Sequence, residues 1–411
     1  MKLMTAAAAL ELLGPIHRSA VEWRAAPPLG DTLAGPHHVR GLGHTELNAE
    51  ATSRWLKSMR DAGVQRITGE VLLDRSLYTP SRVDLSTPPF DESPEFRYNV
   101  VPDALAFNTN LMGLRLSANS DTFSVTMDPP LPGVVLNANF KLIDRKCADW
   151  ENGWVLPQVR VQDKQSVVAL SGTFPRNCKA STEINVIDRS LFAAAWLQLH
   201  WQQLGGVWDA TVRELTDGQA APALPLQARA ASRPLAETLR TINKSSDNPV
   251  TRMTYLALAE HAPTTVPGTA TTAQKAEQTL RSWMVKNQID DTGLVMDNGS
   301  GLSRSERISA NTVAQTLQVM ARSNWAPEFM SSLPIVGVDG TMRNRGKGSP
   351  AAERARMKTG TLRNAYALAG YVQNKAGDWQ VVVAMVNHEQ VGGTKARQLL
   401  DAVLQWAATS E

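Results

Sequence analysis

Apolar and polar positions along the chain change their period several times, and each change predicts a different kind of element. Residues 5–13 are almost unbroken alanine and leucine and stop at Gly14-Pro15, which predicts a buried helix with a glycine terminator. Between 29 and 77, strand-like runs alternate with one helix over 51–62 that ends at Gly63. A strand follows over 64–74, with Ile67, Val71 and Leu73 as its apolar positions. Residues 79–94 carry Pro80, Pro88, Pro89 and Pro94 among polar residues and read as a long surface loop. The period then falls to two, in short strands over 113–118, 122–127, 133–142, 158–161 and 166–173 punctuated by Gly and Pro. A helix is predicted over 190–204, and the Ala-, Pro- and Gln-rich stretch 217–234 reads as a connector. Helical spacing returns over 235–243, 248–260, 272–287 and 309–322. Three antiparallel strands (354–361, 367–374, 379–387) and an amphipathic helix (394–408) close the chain. Blocks of helices and blocks of strands in this order predict an α+β fold, not alternating βαβ units.

The chain has 411 residues, enough for two or three domains, and its 43% hydrophobic and 20% charged residues exclude a disordered or fibrous class. A formal charge of +3 gives no case for nucleic acid. No stretch approaches the roughly 18 apolar residues that suggest a membrane span. Lys2 followed by alanines imitates a signal peptide, but Glu11 interrupts the run and no Ala-x-Ala site follows, so the segment reads as a helix of the fold. Cys147 and Cys178 flank Trp150 and Trp154 without metal-ligand spacing, and either two buried thiols or a disulfide fits them. The seven histidines, among them His37, His38, His44 and His388, show no ligand spacing.

Two short motifs carry chemistry. Ser246-Asp247-Asn248 sits before a predicted helix and offers a hydroxyl for proton relay and an amide to hold a carbonyl; alone it would be an ordinary N-cap followed by Pro249. Lys358-Thr359-Gly360-Thr361 sits on a predicted strand. There the lysine supplies charge, Gly360 admits a substrate backbone, the hydroxyls suit a carboxylate, and the Thr361 N–H is a candidate oxyanion donor. Alone, this run would be an edge strand guarded by a lysine. Between the two lies Asp297-Asn298-Gly299-Ser300-Gly301-Leu302-Ser303-Arg304, a glycine-rich turn.

Together these segments resemble the class C low-molecular-mass penicillin-binding proteins, which are D-alanyl-D-alanine carboxypeptidases and endopeptidases. The likeness extends through Ile67-Thr68-Gly69, Leu73-Asp74-Arg75-Ser76-Leu77, Tyr98-Asn99, Pro102-Asp103-Ala104-Leu105, Ser171-Gly172-Thr173 and Arg233-Pro234-Leu235. It implies a penicillin-binding, β-lactamase-like transpeptidase domain, an antiparallel sheet with helices, interrupted by a large insertion. The implied division is a catalytic domain of 1–25 and 230–411, an inserted domain of 26–110 and 181–229, and a nested all-β domain of 111–180. The family's Ser-x-x-Lys motif supplies a nucleophile and its base. Lys2-Leu3 through Gly14 resembles that helix from its lysine onward, which would put the serine two positions before Met1. No other lysine has a serine three residues ahead of it.

The resemblance therefore implies Lys2 as base, Ser246 as proton shuttle, Asn248 as substrate holder, and Lys358, Thr359, Gly360 and Thr361 as the carboxylate-binding side. It implies peptidoglycan stem peptides as substrate, β-lactams as covalent inhibitors of the full-length form, no metal or organic cofactor, and a periplasmic full-length protein. The chain as written is expected to be poorly stable and to form no acyl-enzyme, with a gene start placed too late as the simplest cause. A serine β-lactamase is disfavoured, because no Glu-x-x-Leu-Asn segment follows Asn248 and the insertion is foreign to it. The alternative of another class is a non-catalytic module that holds a stem peptide through Asn248, Lys358 and Thr359.

Overall fold

A computed structural model describes residues 1–162, 165–216 and 218–411. The chain divides into two compact units, one of residues 1–18 with 233–411 and the other of residues 19–232. Helix α1 (Lys2–Leu13) opens the first unit, with every residue from Leu3 to Leu10 buried. Alanine suits this position twice over, having the highest helix propensity and a side chain small enough for close helix packing. The helix ends at Gly14, whose φ of 81° belongs to the left-handed region that glycine adopts freely.

The second unit begins with β1 (Ala20–Ala25), β2 (Thr32–Ala34), β3 (His37–Leu42), α2 (Ala49–Asp61) and β4 (Arg66–Asp74). Two further groups of strands follow: β5 (Met112–Ala118), β6 (Phe123–Met127), β7 (Val134–Ile143), then β8 (Trp154–Gln162), β9 (Gln165–Pro175) and β10 (Lys179–Ile184). The unit closes with α3 (Arg189–Gln203), β11 (Val207–Glu214) and β12 (Leu226–Ala231). One sheet runs β1-β3-β4-β11 with β2 beside β4, and β3, β11 and β2 are all parallel to β4. The other two are β10-β5-β6 and β7-β9-β8, each three strands wide.

Trp23, Trp55, Phe107, Trp196 and Trp201 anchor the core of this unit. Cys147 and Cys178 are bonded to each other. Asp103, only 3% exposed, accepts from Arg75 Nε at 3.0 Å and pairs with Arg189 at 3.3 Å. The two ends of the unit lie side by side: the Ser232 N–H donates to Ser19 O at 2.8 Å, and the two hydroxyls are 3.1 Å apart.

The chain then returns to the first unit with α4 (Leu235–Lys244), α5 (Asn248–Ala257), α6 (Thr272–Lys286), α7 (Ala310–Arg322) and the short α8 (Ala326–Ser332). Strands β13 (Ala355–Leu362), β14 (Ala365–Gln373) and β15 (Trp379–Asn387) form an antiparallel sheet in chain order, covered by α9 (Gly393–Thr409). Leu400, Leu404, Ala407 and Ala408 of α9 pack on Leu368, Val372 and Val382. Helix α1 packs among α4, α5 and α7, elements that come more than two hundred residues later. Among the described residues no helix is long and apolar enough to cross a membrane.

Most expected elements occur within a few residues of their expected bounds. The stretch expected as a connector over 217–234 holds strand β12; its first residue, Asp217, lies outside the described residues. Strands β10 and β11 and helix α8 were also not expected from the pattern.

Candidate active site

Lys2 stands at the start of a helix whose neighbouring residues are buried, so its amine is held among the other helices of the first unit. Its Nζ donates to Asn248 Oδ1 and, at 2.5 Å, to the backbone carbonyl of Ser300. Asn248 opens α5, where the Asp247 carboxylate caps the helix by accepting the Val250 N–H at 2.8 Å and Pro249 fits the first turn. Ser246 lies in the turn between α4 and α5 with φ of 60°, the left-handed region that a serine enters only at a cost.

Lys358 reaches this turn from β13. It is 5% exposed and donates to Ser246 Oγ at 2.9 Å and to Thr359 O at 2.7 Å. The structure thus brings Lys2, Ser246, Asn248 and Lys358 together by direct hydrogen bonds from three segments of the chain. Gly360 and Thr361 are exposed on β13, an edge strand of the sheet as described. A Cβ on Gly360 would meet only Ala367 Cβ at 3.5 Å, an ordinary contact, so internal packing does not demand a glycine. The bare backbone is explained better by the approach of another chain. Thr359 Oγ1 donates to Thr341 Oγ1 at 2.9 Å, which adds a third hydroxyl that the sequence reading had missed.

Burial depresses both lysines. Lys2 falls to about 8 through desolvation first and the Arg252 charge second, with Glu306 and Asp247 opposing. Lys358 falls to about 7 through burial and then the charge on Lys2. The Lys2 charge disfavours a second cation at Lys358 in this water-poor site, and pKa values brought this close to neutrality leave a usable fraction of each amine neutral and able to accept a proton. Among the described residues no three His, Cys, Asp or Glu side chains gather as metal ligands would.

The glycine-rich segment forms one wall. Gly299 and Gly301 take φ of 72° and 83°, and a Cβ on Gly299 would come within 2.7–2.8 Å of Tyr255 atoms and Thr5 Oγ1. Glu306, five residues past this turn, accepts backbone N–H groups from it; nothing in the sequence pattern marked this glutamate. Its signal was present only as a carboxylate following a stretch rich in Gly and Ser, whose N–H groups need an acceptor. Chemically, the site offers a depressed amine beside an amide, a hydroxyl beside a second depressed amine, and hydroxyls on an exposed strand edge. That set suits acyl transfer from a peptide with a terminal carboxylate.

Comparison with known proteins gives a consistent result. The model of the D-Ala-D-Ala carboxypeptidase 3 (S13) family matches residues 1–410. A D-alanyl-D-alanine carboxypeptidase of Actinomadura sp. (strain R39) is 26% identical over 421 aligned residues, covering 95% of this chain and 73% of that protein. The crystal structure of penicillin binding protein 4 from Haemophilus influenzae superposes with a TM-score of 0.79 at 22% identity, covering 98% of this chain and 90% of that one. The same protein in complex with a β-lactam gives a TM-score of 0.76 at 22% identity, covering 99% and 89%. The α+β architecture of the chain is therefore that of the penicillin-binding, β-lactamase-like fold with additional domains.

Proposed function

Since the chain belongs to the D-Ala-D-Ala carboxypeptidase 3 (S13) family, we propose that its site acts on peptidoglycan stem peptides ending in D-Ala-D-Ala, by acyl transfer through a serine. The observation that carries this reading is the convergence of Lys2 on Asn248 and of Lys358 on Ser246, across separations of 246 and 112 residues. In the proposed cycle, a serine one helical turn before Lys2 gives its proton to the Lys2 amine and attacks the carbonyl of the penultimate D-Ala. The tetrahedral adduct collapses with loss of the C–N bond, and the proton taken up by Lys2 passes by way of Lys358 and Ser246 to the leaving D-Ala amine, which leaves Lys2 neutral again. Water then hydrolyses the ester with Lys2 again as base. Asn248 holds the substrate amide, and Thr359, Gly360 and Thr361 receive the terminal carboxylate and backbone.

We place that serine one helical turn ahead of Lys2, and infer that the polypeptide of residues 1–411 by itself forms no acyl-enzyme. We further propose the nested arrangement of 111–180 inside 26–110 and 181–229, and a periplasmic setting, which the Cys147–Cys178 bond supports because such bonds persist in oxidising compartments. A β-lactam, which the H. influenzae relative binds, should acylate a polypeptide that carries this serine.

Intact-mass measurement tests this directly. The 411-residue chain is expected to show no adduct with a reactive β-lactam, and a form extended upstream through the serine a stoichiometric one. A stoichiometric adduct on the 411-residue chain would overturn the assignment of Lys2. A second reading, a binding module without chemistry, is favoured by the lack of a serine three residues before any other lysine. It predicts that the extended form stays unmodified while a D-Ala-D-Ala peptide still binds.

A further inference from the structure

The turn over 297–301 is held from inside by Asn298, whose Oδ1 accepts the Ser300 N–H at 3.0 Å, and from outside chiefly by the Glu306 carboxylate. Glu306 Oε1 accepts the N–H groups of Asp297 (3.4 Å), Asn298 (3.1 Å) and Gly299 (2.7 Å), and Oε2 accepts that of Gly301 (2.8 Å). A second tie comes from α1, where Thr5 Oγ1 donates to Gly299 O at 2.8 Å. The carbonyl between these anchors, Ser300 O, is the one that meets Lys2 Nζ at 2.5 Å.

This matters because of what an amine looks like when it acts as a base. A neutral lysine amine has two N–H bonds and one lone pair. Ser300 O and Asn248 Oδ1 are two acceptors on Nζ, so in the neutral amine they take both N–H bonds. The lone pair is then left in the one remaining tetrahedral direction. An amine with only one acceptor would rotate about Cε–Nζ and spread its lone pair over several directions.

We propose that Glu306 is a positioning residue for Lys2: by caging the 297–301 turn it fixes the Ser300 carbonyl, and through it the direction in which Lys2 receives a proton. The proposal rests on the reading of Lys2 as the base. Glu306 has a second effect through its charge. The charged groups around Lys2 are Arg252, Asp247, Glu306, Lys358 and the Met1 amine, and Glu306 opposes Arg252 by favouring protonated Lys2. Loss of the Glu306 charge and loss of an acceptor on the ammonium both disfavour protonated Lys2, so both shift its titration downward.

The experiment is an NMR titration of the 411-residue chain labelled with 13Cε-lysine, in which the Lys2 signal is assigned by its loss in Lys2→Arg. In the parent, the two Lys2 Hε protons are expected to be inequivalent and the midpoint to lie well below that of an exposed lysine. In Glu306→Gln the inequivalence should collapse and the midpoint should fall by roughly half a pH unit or more. Thr5→Val, which loosens the same turn without changing charge, should reduce the inequivalence with a smaller downward shift. It decides the matter by the same readouts if Glu306→Gln does not fold. Unchanged inequivalence and an unchanged midpoint in a folded variant would overturn the role of Glu306. An exposed-lysine midpoint in the parent would instead overturn the reading of Lys2 as base, on which the role depends.

Discussion

Replacing Lys358 by Met should flatten the pH dependence of stability in the unit formed by 1–18 and 233–411. Lys358 is 5% exposed, and its pKa falls from 10.5 to about 7, chiefly through burial and then through the charge on Lys2. The folded value lies below the unfolded one, so the unfolded chain holds this proton more tightly. The cost to folding is complete below pH 7 and disappears as pH rises toward 10.5. At about 1.4 kcal/mol per pKa unit, it is about 4 kcal/mol near pH 7 and about 2 kcal/mol at pH 9. Lys358 should therefore make the parent about 2 kcal/mol more stable at pH 9 than at pH 7. Methionine fills a similar volume without the titration. It also takes the donor away from Ser246 Oγ and Thr359 O, a loss of about 1–3 kcal/mol that does not vary with pH, so the slope and not the offset is diagnostic. Urea unfolding at pH 7, 8 and 9 measures it, with the transition of this unit identified by hydrogen-exchange mass spectrometry. Lys2 is present in both proteins, so the part of its titration that does not depend on Lys358 cancels, and only the Lys2–Lys358 coupling adds to the difference. Parallel stability profiles for parent and variant would refute the argument, because they would mean that Lys358 keeps an ordinary titration inside the fold.

Two further outcomes concern the unit of residues 19–232. Serine at both Cys147 and Cys178 should lower its stability by about 3–4 kcal/mol, because the bond closes a loop with a sequence separation of 31; an unchanged urea midpoint would contradict this. Asp103→Asn strips the charge from a carboxyl that burial would push up but that Arg75 and Arg189 hold below the usual carboxylate range. It leaves two buried guanidinium groups short of a partner and should cost about 3 kcal/mol. A loss below about 1 kcal/mol would show that the arginines find other acceptors.

Much of this molecule is legible in its sequence because several elements carry strong local signals. The alanine run of α1, the capped start of α5 and the short apolar runs of β14 and β15 each carry the pattern and punctuation of a single element. The motifs at 246–248 and 358–361 could be paired because their chemistry is complementary, although only folding puts Lys358 Nζ on Ser246 Oγ. Strand β12 was hidden because Leu-Gln-Ala-Arg-Ala-Ala has little intrinsic β preference and is fixed by long-range contact with β1. Strand β11 alternates exposed and half-buried residues along its whole length, so its apolar face contrasts little with the other. Thr341 and Glu306 were invisible for a related reason: each acts through a hydrogen bond set by tertiary geometry, and residue type alone says little about that.

The closeness of Ser19 and Ser232 has a consequence for how the first helix finds its place. Joining α1 to α4 and α5 across a flexible intervening segment of roughly 200 residues would cost about 5 kcal/mol in loop-closure entropy. Once residues 19–232 have folded, the ends of that segment are already together, and α1 meets its partners almost as if the chain were continuous. The inserted unit thus works as a chain clamp. Any lesion that melts it reinstates the entropic cost, and it can displace Lys2 without altering a residue of the unit that holds α1.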